Sequence, residues 1–316
     1  MTGAIAITTG CRLHFGIFAH RPASGREFGG VGLMIDAPRV RLSLRADERD
    51  GASGPPEVAA RVRAIVARYR AAVSGGQQPP PCSITIHESV PAHVGLGSGT
   101  QLALAVARGM ARLAGDESAD AVTLAARVGR GARSAIGIHG FERGGFLIDD
   151  GKSAGEPFGK LAARVDFPPD WRIVLVTPLE DAGLSGRAER EAFAQLPPMP
   201  SSTTAGLRSM AFDALLPSVT AGDFAAASES LHAFNRIVGE YFAAAQGGPY
   251  AHPRMRRLVE WLRAEGTAGV GQSSWGPTLF ALARDGRAAA ELALALEADP
   301  RWSACAVRVA GAWNGP

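Results

Sequence analysis

The residues of this chain most able to do chemistry are concentrated in a run of glycines and hydroxyl side chains at residues 91–101. Alternating glycines let backbone N–H groups turn toward a ligand, and a helix that begins here adds partial positive charge. Ser98 and Thr100 supply hydroxyls that can cap the helix, donate to phosphate or coordinate magnesium. A capped turn is the alternative. We favour an anion-binding loop, with phosphate or pyrophosphate contacts from Gly95, Leu96, Gly97, Ser98, Gly99, Thr100 and Gln101.

The elements that position this loop follow from the periodicity of apolar residues. A strand over 83–89 leads into the loop, and an apolar helix over 100–113 leaves it. Further strands are predicted at 4–8, 40–44, 144–149, 172–177, 278–283 and 304–309, and further helices at 57–72, 119–128, 209–215, 224–244, 253–265 and 286–298. Residues 151–169 are rich in glycine, proline and charge, which is typical of a domain boundary. We therefore predict an α+β chain with an N-terminal domain over 1–160 and a C-terminal domain over 161–316.

Composition argues against several classes of partner. Hydrophobic residues make up 46% of the 316 residues and charged ones 20%, as in an ordinary globular protein. The net charge is only +3 without a basic block, which argues against nucleic acid. Cys11, Cys82 and Cys305 lack the spacing of a zinc site or a disulfide framework. No apolar run approaches the roughly 20 residues of a membrane span, and the N-terminus lacks a signal-peptide pattern, so we expect a cytoplasmic protein without a membrane partner.

Two common phosphate motifs do not fit the loop, since no lysine follows the glycines and no acidic residue closes a second strand about 20 residues on. The loop instead resembles the second motif of the GHMP kinase superfamily. Residues 269–277 are similar to the third motif, and residues 11–16 match the first more loosely. The resemblance implies a two-domain GHMP-kinase-like α+β fold. Its N-terminal domain would be ribosomal-protein-S5-domain-2-like, and its C-terminal domain ferredoxin-like.

Kinases of this superfamily commonly carry a catalytic aspartate after the loop helix, and the matching segment 134–146 contains none. Residues 93–101, 137–146 and 271–277 together resemble the β-ribofuranosylaminobenzene 5′-phosphate synthase family. This resemblance implies condensation of phosphoribosyl pyrophosphate with 4-aminobenzoate or 4-hydroxybenzoate, releasing CO₂ and pyrophosphate, in the first step of tetrahydromethanopterin biosynthesis. It also implies a homodimer and no organic cofactor.

Two other functions remain open. An ATP-dependent small-molecule kinase of the same fold is the main alternative. A non-catalytic ligand-binding relative is disfavoured, because all three motifs keep their polar side chains.

The implied reaction demands stabilisation of a departing pyrophosphate more than a strong base, which agrees with the missing aspartate. Backbone N–H groups of the loop and Mg²⁺ would provide that stabilisation. Ser98 and Asp36 are the candidate magnesium ligands, although a turn before Pro38 explains Asp36 equally well.

The candidate catalytic residues each have a structural alternative. Arg26 could bind the ribose 5-phosphate or the benzoate carboxylate through its planar guanidinium. His93 could touch phosphate or the aromatic substrate, or serve structure only. Glu142 could act in the site with Arg143, although a solvent-facing salt bridge is the favoured interpretation. With Ser98 of the loop, Arg26, His93 and Glu142 form the expected catalytic group.

The expected substrate contacts come from the same segments. Trp275 could stack on the benzoate ring or only wall the core. His14 is equally a substrate contact or a structural histidine. The full set is Arg12, His14, Gly29, Gly30, Gln272, Ser273, Ser274 and Trp275.

Overall fold

The first half of the chain forms a sheet of six strands. The computed structural model describes residues 3–73, 78–179 and 186–315, with 186–190 as helical backbone only. The strands are β1 (Ile5–Ile17), β2 (Gly30–Ala46), β3 (Gly51–Ser53), β4 (Cys82–Glu88), β5 (Phe146–Asp149) and β6 (Leu161–Val165). Their order is β3-β4-β2-β5-β6, and β1 pairs with β2. The pairing of β3 with β4 is parallel, and the other pairings are antiparallel.

Four helices accompany this sheet: α1 (Pro56–Ala72), α2 (Ser98–Leu113), α3 (Ala121–Arg127) and α4 (Ile136–Arg143). Helix α2 contacts β1 and β2, and most of its side chains are small or aliphatic and buried. It approaches the sheet closely, since a Cβ added at Gly109 would lie 2.3 Å from Cδ1 of Leu44. This tight packing holds α2 against the sheet.

The second half forms a four-stranded sheet with helices around it. Its strands are β7 (Arg172–Pro178), β8 (Val270–Gln272), β9 (Leu279–Ala283) and β10 (Cys305–Gly311), in the antiparallel order β10-β7-β9-β8. Its helices are α5 (Gly186–Gln195), α6 (Ser201–Ser209), α7 (Leu216–Ala221), α8 (Phe224–Gln246), α9 (Pro253–Ala264) and α10 (Gly286–Ala298). A π-helical stretch, Met210–Leu215, joins α6 to α7, and a 3₁₀ turn, Pro300–Trp302, precedes β10.

The two halves are held together at buried positions. Asn235 of α8 donates to the carbonyl oxygen of Phe15 in β1 at 2.7 Å and to that of Gln272 in β8 at 2.9 Å. Phe15 also packs on Phe280 of β9, with ring centroids 5.0 Å apart. One large hydrophobic cluster therefore spans both sheets, and a smaller one lies between the second sheet, α9 and α10.

Most of the expected helices and strands are confirmed, but β1 and β2 extend well beyond the expected 4–8 and 40–44, and the helix expected at 209–215 is π-helical. The apolar pattern does not predict α4, because glycines dilute it. These glycines are close-packing positions, and a Cβ added at Gly140 would lie 2.5 Å from Sδ of Met34. The first sheet also continues past the expected boundary at residue 160, because β6 pairs with β5. No helix within the described ranges is long and apolar enough to cross a membrane.

Candidate active site

Three glycine-bearing segments that are distant in sequence meet at the first turn of α2. The hydroxyl of Ser273 joins them, because it accepts from the N–H of His14 at 3.1 Å and donates to the carbonyl oxygen of Gly95 at 2.8 Å. The N–H of Ser274 donates to the carbonyl oxygen of His14 at 2.8 Å. Ser273 is fully buried, so water cannot replace these bonds. Ser273 is therefore a positioning residue that assembles the site.

Close approach explains two glycines of the loop. Gly95 has φ +84°, and a Cβ added there would lie 2.4 Å from the carbonyl oxygen of Ser273. Gly97 has φ +67°, and its added Cβ would lie 2.6 Å from Cγ of Arg12.

Gly97 is also the N-cap of α2. The N–H of Thr100 donates to the carbonyl oxygen of Gly97 at 3.0 Å. The N–H groups of Ser98 and Gly99, which begin the helix, have no intrahelical acceptor and remain available to an anion.

The loop forms one wall of a cavity of about 360 Å³, which we call the outer chamber. Residues 95–100 line it together with His93 and Ser274. Trp275 and Gly276 also line it, and so do four arginines: Arg12, Arg61, Arg130 and Arg133. Among the described lining residues there is no aspartate or glutamate. The outer chamber therefore has strong positive charge and suits an anion with several charges.

Arg130 lies beside the loop. A Cβ added at Gly99 would lie 3.5 Å from Nη1 of Arg130. The Nε of Arg130 is buried and has no hydrogen-bond partner among the described residues. Desolvation, followed by the like charges of Arg68 and Arg61, lowers the pKa of Arg130 from its ordinary value. An anion bound here would supply an acceptor and offset the repulsion among the arginines.

A second cavity of about 250 Å³, which we call the inner chamber, adjoins the first. Its wall is partly aromatic, since the ring centroid of Trp275 lies 5.1 Å from that of Phe193 and 4.7 Å from that of Phe242. An apolar cavity of about 150 Å³ can hold benzene, so the inner chamber can hold a substituted benzene ring. The two chambers share Arg12, Thr100, Arg130, Arg133, Ser274 and Trp275.

His14 lines the inner chamber as a neutral side chain. Its Nε2 lies 3.1 Å from Oγ of Ser134. Burial, followed by the positive charges of Arg12 and Arg133, lowers the pKa of His14 well below its usual range. His14 is therefore a hydrogen-bonding group of the wall, and not a cation, at neutral pH.

Most of the residues predicted for the loop and for substrate contact line the two chambers. The outer chamber has His93 and the loop residues through Thr100, and the inner chamber has His14, Gln272 and Trp275. The side chain of Gln272 is already engaged, because its Oε1 accepts from the N–H of Ala251 at 2.7 Å and its Nε2 donates to the carbonyl oxygen of Ser274 at 3.2 Å. Gln272 shapes the wall of the inner chamber.

Arg26 is not at this site, contrary to its expected role at a substrate anion. Its guanidinium donates to the carbonyl oxygen of Gly151 at 2.7 Å and pairs with Asp150 at 3.2 Å and Glu156 at 2.5 Å. It lines neither chamber. Arg26 therefore ties the segment before β2 to the segment after β5.

Glu142 and Asp36 also lie outside both chambers. Glu142 pairs with Arg108 at 3.3 Å, so its salt bridge forms with a largely buried partner other than the expected Arg143. Asp36 accepts from the N–H of Gly311 at 2.8 Å and so connects β2 to β10. The structure does not bring Asp36 together with Ser98 as metal ligands.

Gln101, Gly29 and Gly30 line neither chamber, and packing accounts for all three. The Oε1 of Gln101 accepts from the hydroxyl of Thr9 at 2.8 Å, and its Nε2 donates to the carbonyl oxygen of Gly137 at 2.7 Å. A Cβ added at Gly29 or Gly30 would meet neighbouring backbone at 2.8 Å and 2.3 Å. The expected phosphate contact of Gln101 and substrate contacts of the two glycines are not supported.

Sequence reasoning misses several lining residues. Arg61 lies in the predicted helix α1, where an arginine that faces a ligand has the same spacing as one that faces solvent. One sequence feature points to Arg130 and Arg133 as site residues, because both stand close to glycines just before α4. Phe193 and Phe242 come from α5 and α8, and only tertiary packing brings them to the chamber.

The chambers do not provide a resident magnesium site. Within the described ranges, no group of three or more His, Cys, Asp or Glu side chains could hold a metal ion. The outer chamber has the hydroxyls of Ser98 and Thr100 but no carboxylate among its described lining residues. Protein-bound Mg²⁺ usually has one or two carboxylate ligands besides substrate phosphates.

Comparison with known proteins agrees with this architecture. The model of the GHMP kinases N terminal domain matches residues 60–141, and that of the GHMP kinases C terminal domain matches residues 215–300. The structure is similar to homoserine kinase from Cytophaga hutchinsonii, with TM-score 0.69, 16% identity, and coverage of 100% of this chain and 96% of that chain. It is also similar to mevalonate-3-kinase from Thermoplasma acidophilum, with TM-score 0.68, 10% identity, and coverage of 100% and 98%. The fold and the glycine-rich site define a member of the GHMP kinase superfamily, which confirms the expected fold class.

Curated relatives identify the family within that superfamily. The chain is 31% identical over 295 residues to β-ribofuranosylphenol 5′-phosphate synthase of Methanothermobacter thermautotrophicus, with 88% of each chain covered. It is 29% identical over 290 residues to the synthase of the same name from Archaeoglobus fulgidus, with 88% of this chain and 87% of the relative covered. The chain belongs to the β-ribofuranosylphenol 5′-phosphate synthase family.

Proposed function

We propose that this protein is a decarboxylating phosphoribosyltransferase that condenses phosphoribosyl pyrophosphate with 4-hydroxybenzoate or 4-aminobenzoate. The products are a C-riboside 5′-phosphate, CO₂ and pyrophosphate, in the first step of the tetrahydromethanopterin branch. Membership of the family supports this activity, because its relatives are named as synthases of β-ribofuranosylphenol 5′-phosphate.

The observation that carries the proposal is the contact between two chambers of different character. The outer chamber offers backbone N–H groups and arginines to a pyrophosphate. The inner chamber offers the faces and edges of Phe193, Phe242 and Trp275 to a benzoate ring. The shared boundary would bring C1 of the ribose to the ring carbon that attacks it, and such positioning lowers the barrier.

The residues present suit the bond changes of this reaction. The C1–O bond of the ribose breaks and its electron pair goes to pyrophosphate, while the ring carbon that bears the carboxylate bonds to C1. Loss of CO₂ then restores aromaticity. Donors around pyrophosphate stabilise the developing negative charge.

An ATP-dependent kinase of the same fold is the second candidate, which the likeness to homoserine kinase and mevalonate-3-kinase favours. Such a kinase uses a group that orients or deprotonates the attacking hydroxyl. The described residues lining the two chambers include no carboxylate for that task. This favours the transferase over the kinase.

We further propose that Mg²⁺ enters the site as a complex with the pyrophosphate group of the substrate. The absence of a carboxylate from the described lining supports this route over a resident ion. When bound, the ion would neutralise part of the pyrophosphate charge. The hydroxyls of Ser98 and Thr100 would then face the complex. We propose that the reaction uses no organic cofactor.

We also propose that the protein works as a homodimer in the cytoplasm. The dimer rests on the resemblance to the synthase family. The buried thiols of Cys11 and Cys82, which form no disulfide, support a reducing compartment.

The test supplies carboxyl-labelled 4-hydroxybenzoate or 4-aminobenzoate with phosphoribosyl pyrophosphate and Mg²⁺, and follows labelled CO₂. We expect release that depends on phosphoribosyl pyrophosphate and is matched mole for mole by pyrophosphate. A parallel reaction replaces phosphoribosyl pyrophosphate with ATP and a panel of small alcohols. Phosphorylation of an alcohol, with no label released from either benzoate, would overturn the proposal.

A further inference from the structure

We propose that Arg130, supported by Arg61, binds the pyrophosphate group of phosphoribosyl pyrophosphate opposite the glycine-rich loop and stabilises it as it leaves. This inference rests on the proposed function and assigns residues to its bond-breaking step. Both arginines line the outer chamber with residues 95–100. The loop alone would offer N–H dipoles, whereas the arginines add full charges.

The charge balance of the reaction explains why cations are needed here. When the C1–O bond breaks, its electron pair stays on pyrophosphate, which gains one negative charge as C1 becomes positive. The carboxylate of the benzoate leaves as CO₂, and the electron pair that it leaves behind completes the aromatic ring. No proton is gained or lost in these steps. A guanidinium beside the leaving oxygens therefore interacts more strongly with the transition state than with the bound substrate.

The backbone around Arg130 is fixed before any ligand binds. Gly131 has φ +89°, and a Cβ added there would lie 2.3 Å from Cδ1 of Ile138. The segment ends where the N–H of Ala135 donates to Oδ2 of buried Asp149 at 2.7 Å. Arg130 is thus presented from a tightly packed turn, and little reorganisation is required when the anion forms.

The surroundings of Arg130 lack the partner that neighbouring arginines have. Arg127 pairs with Asp116 at 2.8 Å, and Arg68 donates to the carbonyl oxygen of Val128 at 3.3 Å. The buried Nε of Arg130 has no acceptor among the described residues. A buried donor without an acceptor costs free energy, and an oxygen of pyrophosphate would remove that cost.

Arg61 and Arg63 provide a matched pair for the test. Both lie on α1, but their spacing of two residues places them on opposite faces of the helix, and Arg63 is exposed. Only Arg61 lines the outer chamber. Replacing either residue removes one positive charge from the same helix, so the comparison separates a local contact from a change in net charge.

The experiment compares Arg130→Gln, Arg61→Gln and Arg63→Gln in the full chain. For Arg130→Gln we expect kcat/KM for phosphoribosyl pyrophosphate to fall about 10-fold or more, with a lower kcat. Affinity for inorganic pyrophosphate, measured by calorimetry, falls by a similar factor. Arg61→Gln has a smaller effect of the same kind. Arg63→Gln stays within about 2-fold of the unsubstituted protein.

Equal behaviour of Arg130→Gln and Arg63→Gln in both measurements would overturn the inference. If Arg130→Gln does not fold, Arg130→Lys takes its place, and it should still lose affinity because lysine lacks the planar fork of donors. Label release that Arg130→Gln leaves intact contradicts the inference alone. An unsubstituted protein that binds pyrophosphate through Arg130 but releases no CO₂ contradicts the proposed function instead.

Discussion

At the scale of single residues, the buried polar side chains of the site hold segments together. Ser273 bridges His14 and Gly95, and Gln101 bridges β1 and α4. Asp149 accepts from the N–H groups of Ala135 and Gly151, and burial raises its pKa. These groups have few bonds left to offer a ligand. Binding therefore falls to backbone N–H groups and arginines.

His14 gives a prediction for stability against pH. Its pKa in the folded protein lies well below the ordinary value, mainly because of burial, whereas in the unfolded chain it is about 6.5. Below that pH the unfolded chain takes up a proton that the folded protein resists. The contribution of His14 to the free energy of unfolding is therefore present above about pH 6.5 and is lost as the pH falls toward the lower folded pKa.

Urea denaturation at several pH values between about 5 and 8 checks this prediction. His14→Gln should lose less stability than the unsubstituted protein as the pH falls through this range. His87→Gln, at an exposed position, should retain the full slope. Equal slopes for all three proteins would show that His14 titrates normally in the folded state.

At this scale, the sequence predicts which residues lie at the site better than it predicts the role of each residue. Ser98, Thr100 and Trp275 are identified because they stand in or beside glycine-rich segments. The sequence does not show that the guanidinium of Arg26 bonds to carbonyl and carboxylate oxygens of another segment. Arg130 has an equally plain sequence context, and only the fold leaves its Nε facing no partner among the described residues.

At the scale of elements, the glycine-rich loop works because α2 fixes its end and Arg12 packs against it. Gly97→Ala should force Arg12 aside, since the added Cβ would lie 2.6 Å from Cγ of Arg12. The positive φ adds a cost of about 1 kcal/mol in stability. We expect KM for phosphoribosyl pyrophosphate to rise about 10-fold, since a charge-assisted contact is displaced.

Gly115→Ala is the matched control for this change. Gly115 follows the C-terminal end of α2, also has positive φ (+74°), and a Cβ added there would meet nothing within 4 Å. Both variants should lose stability in thermal unfolding, Gly97→Ala at least as much as Gly115→Ala, and only Gly97→Ala should raise KM. Two unchanged KM values would mean that the loop does not depend on the position of Arg12.

Elements are the part of the fold most accessible from the sequence. The helical spacing of apolar residues is unbroken in α1 and α2, so the sequence predicts the positions of both helices. Helix α4 is not predicted, because Gly137 and Gly140, which allow close packing, weaken the helical pattern of apolar residues. The short strand β8 is not predicted, because a glycine-bearing segment is typical of a turn. In the structure this segment is a strand, because it pairs with β9.

At the scale of the whole molecule, the two halves contribute unlike parts of one site. The first half supplies the glycine-rich loop and the arginines, and the second half supplies Phe193, Phe242 and Trp275. Asn235 and the cluster around Phe15 hold these parts in contact. The modest net charge of +3 conceals this local concentration of positive charge.

The order of the three motifs is readable in the sequence, and their resemblance to the superfamily predicts the fold class. The pairing of strands and the approach of α5 and α8 to the loop are not readable, because they depend on contacts between distant residues. The sequence therefore predicts the anion-binding side of the site, because the glycine-rich loop is one local segment. It does not predict the aromatic side, because tertiary packing assembles that side from distant residues.

The most direct test of the account is a crystal structure with pyrophosphate and 4-hydroxybenzoate bound together, a pair that cannot react. We predict pyrophosphate against residues 95–100 and Arg130, with the benzoate ring in the inner chamber against Trp275. The carbon bearing the carboxylate should point toward the boundary between the chambers. A benzoate bound away from Trp275, or a pyrophosphate bound away from the loop, would contradict the division of the site into two adjoining chambers.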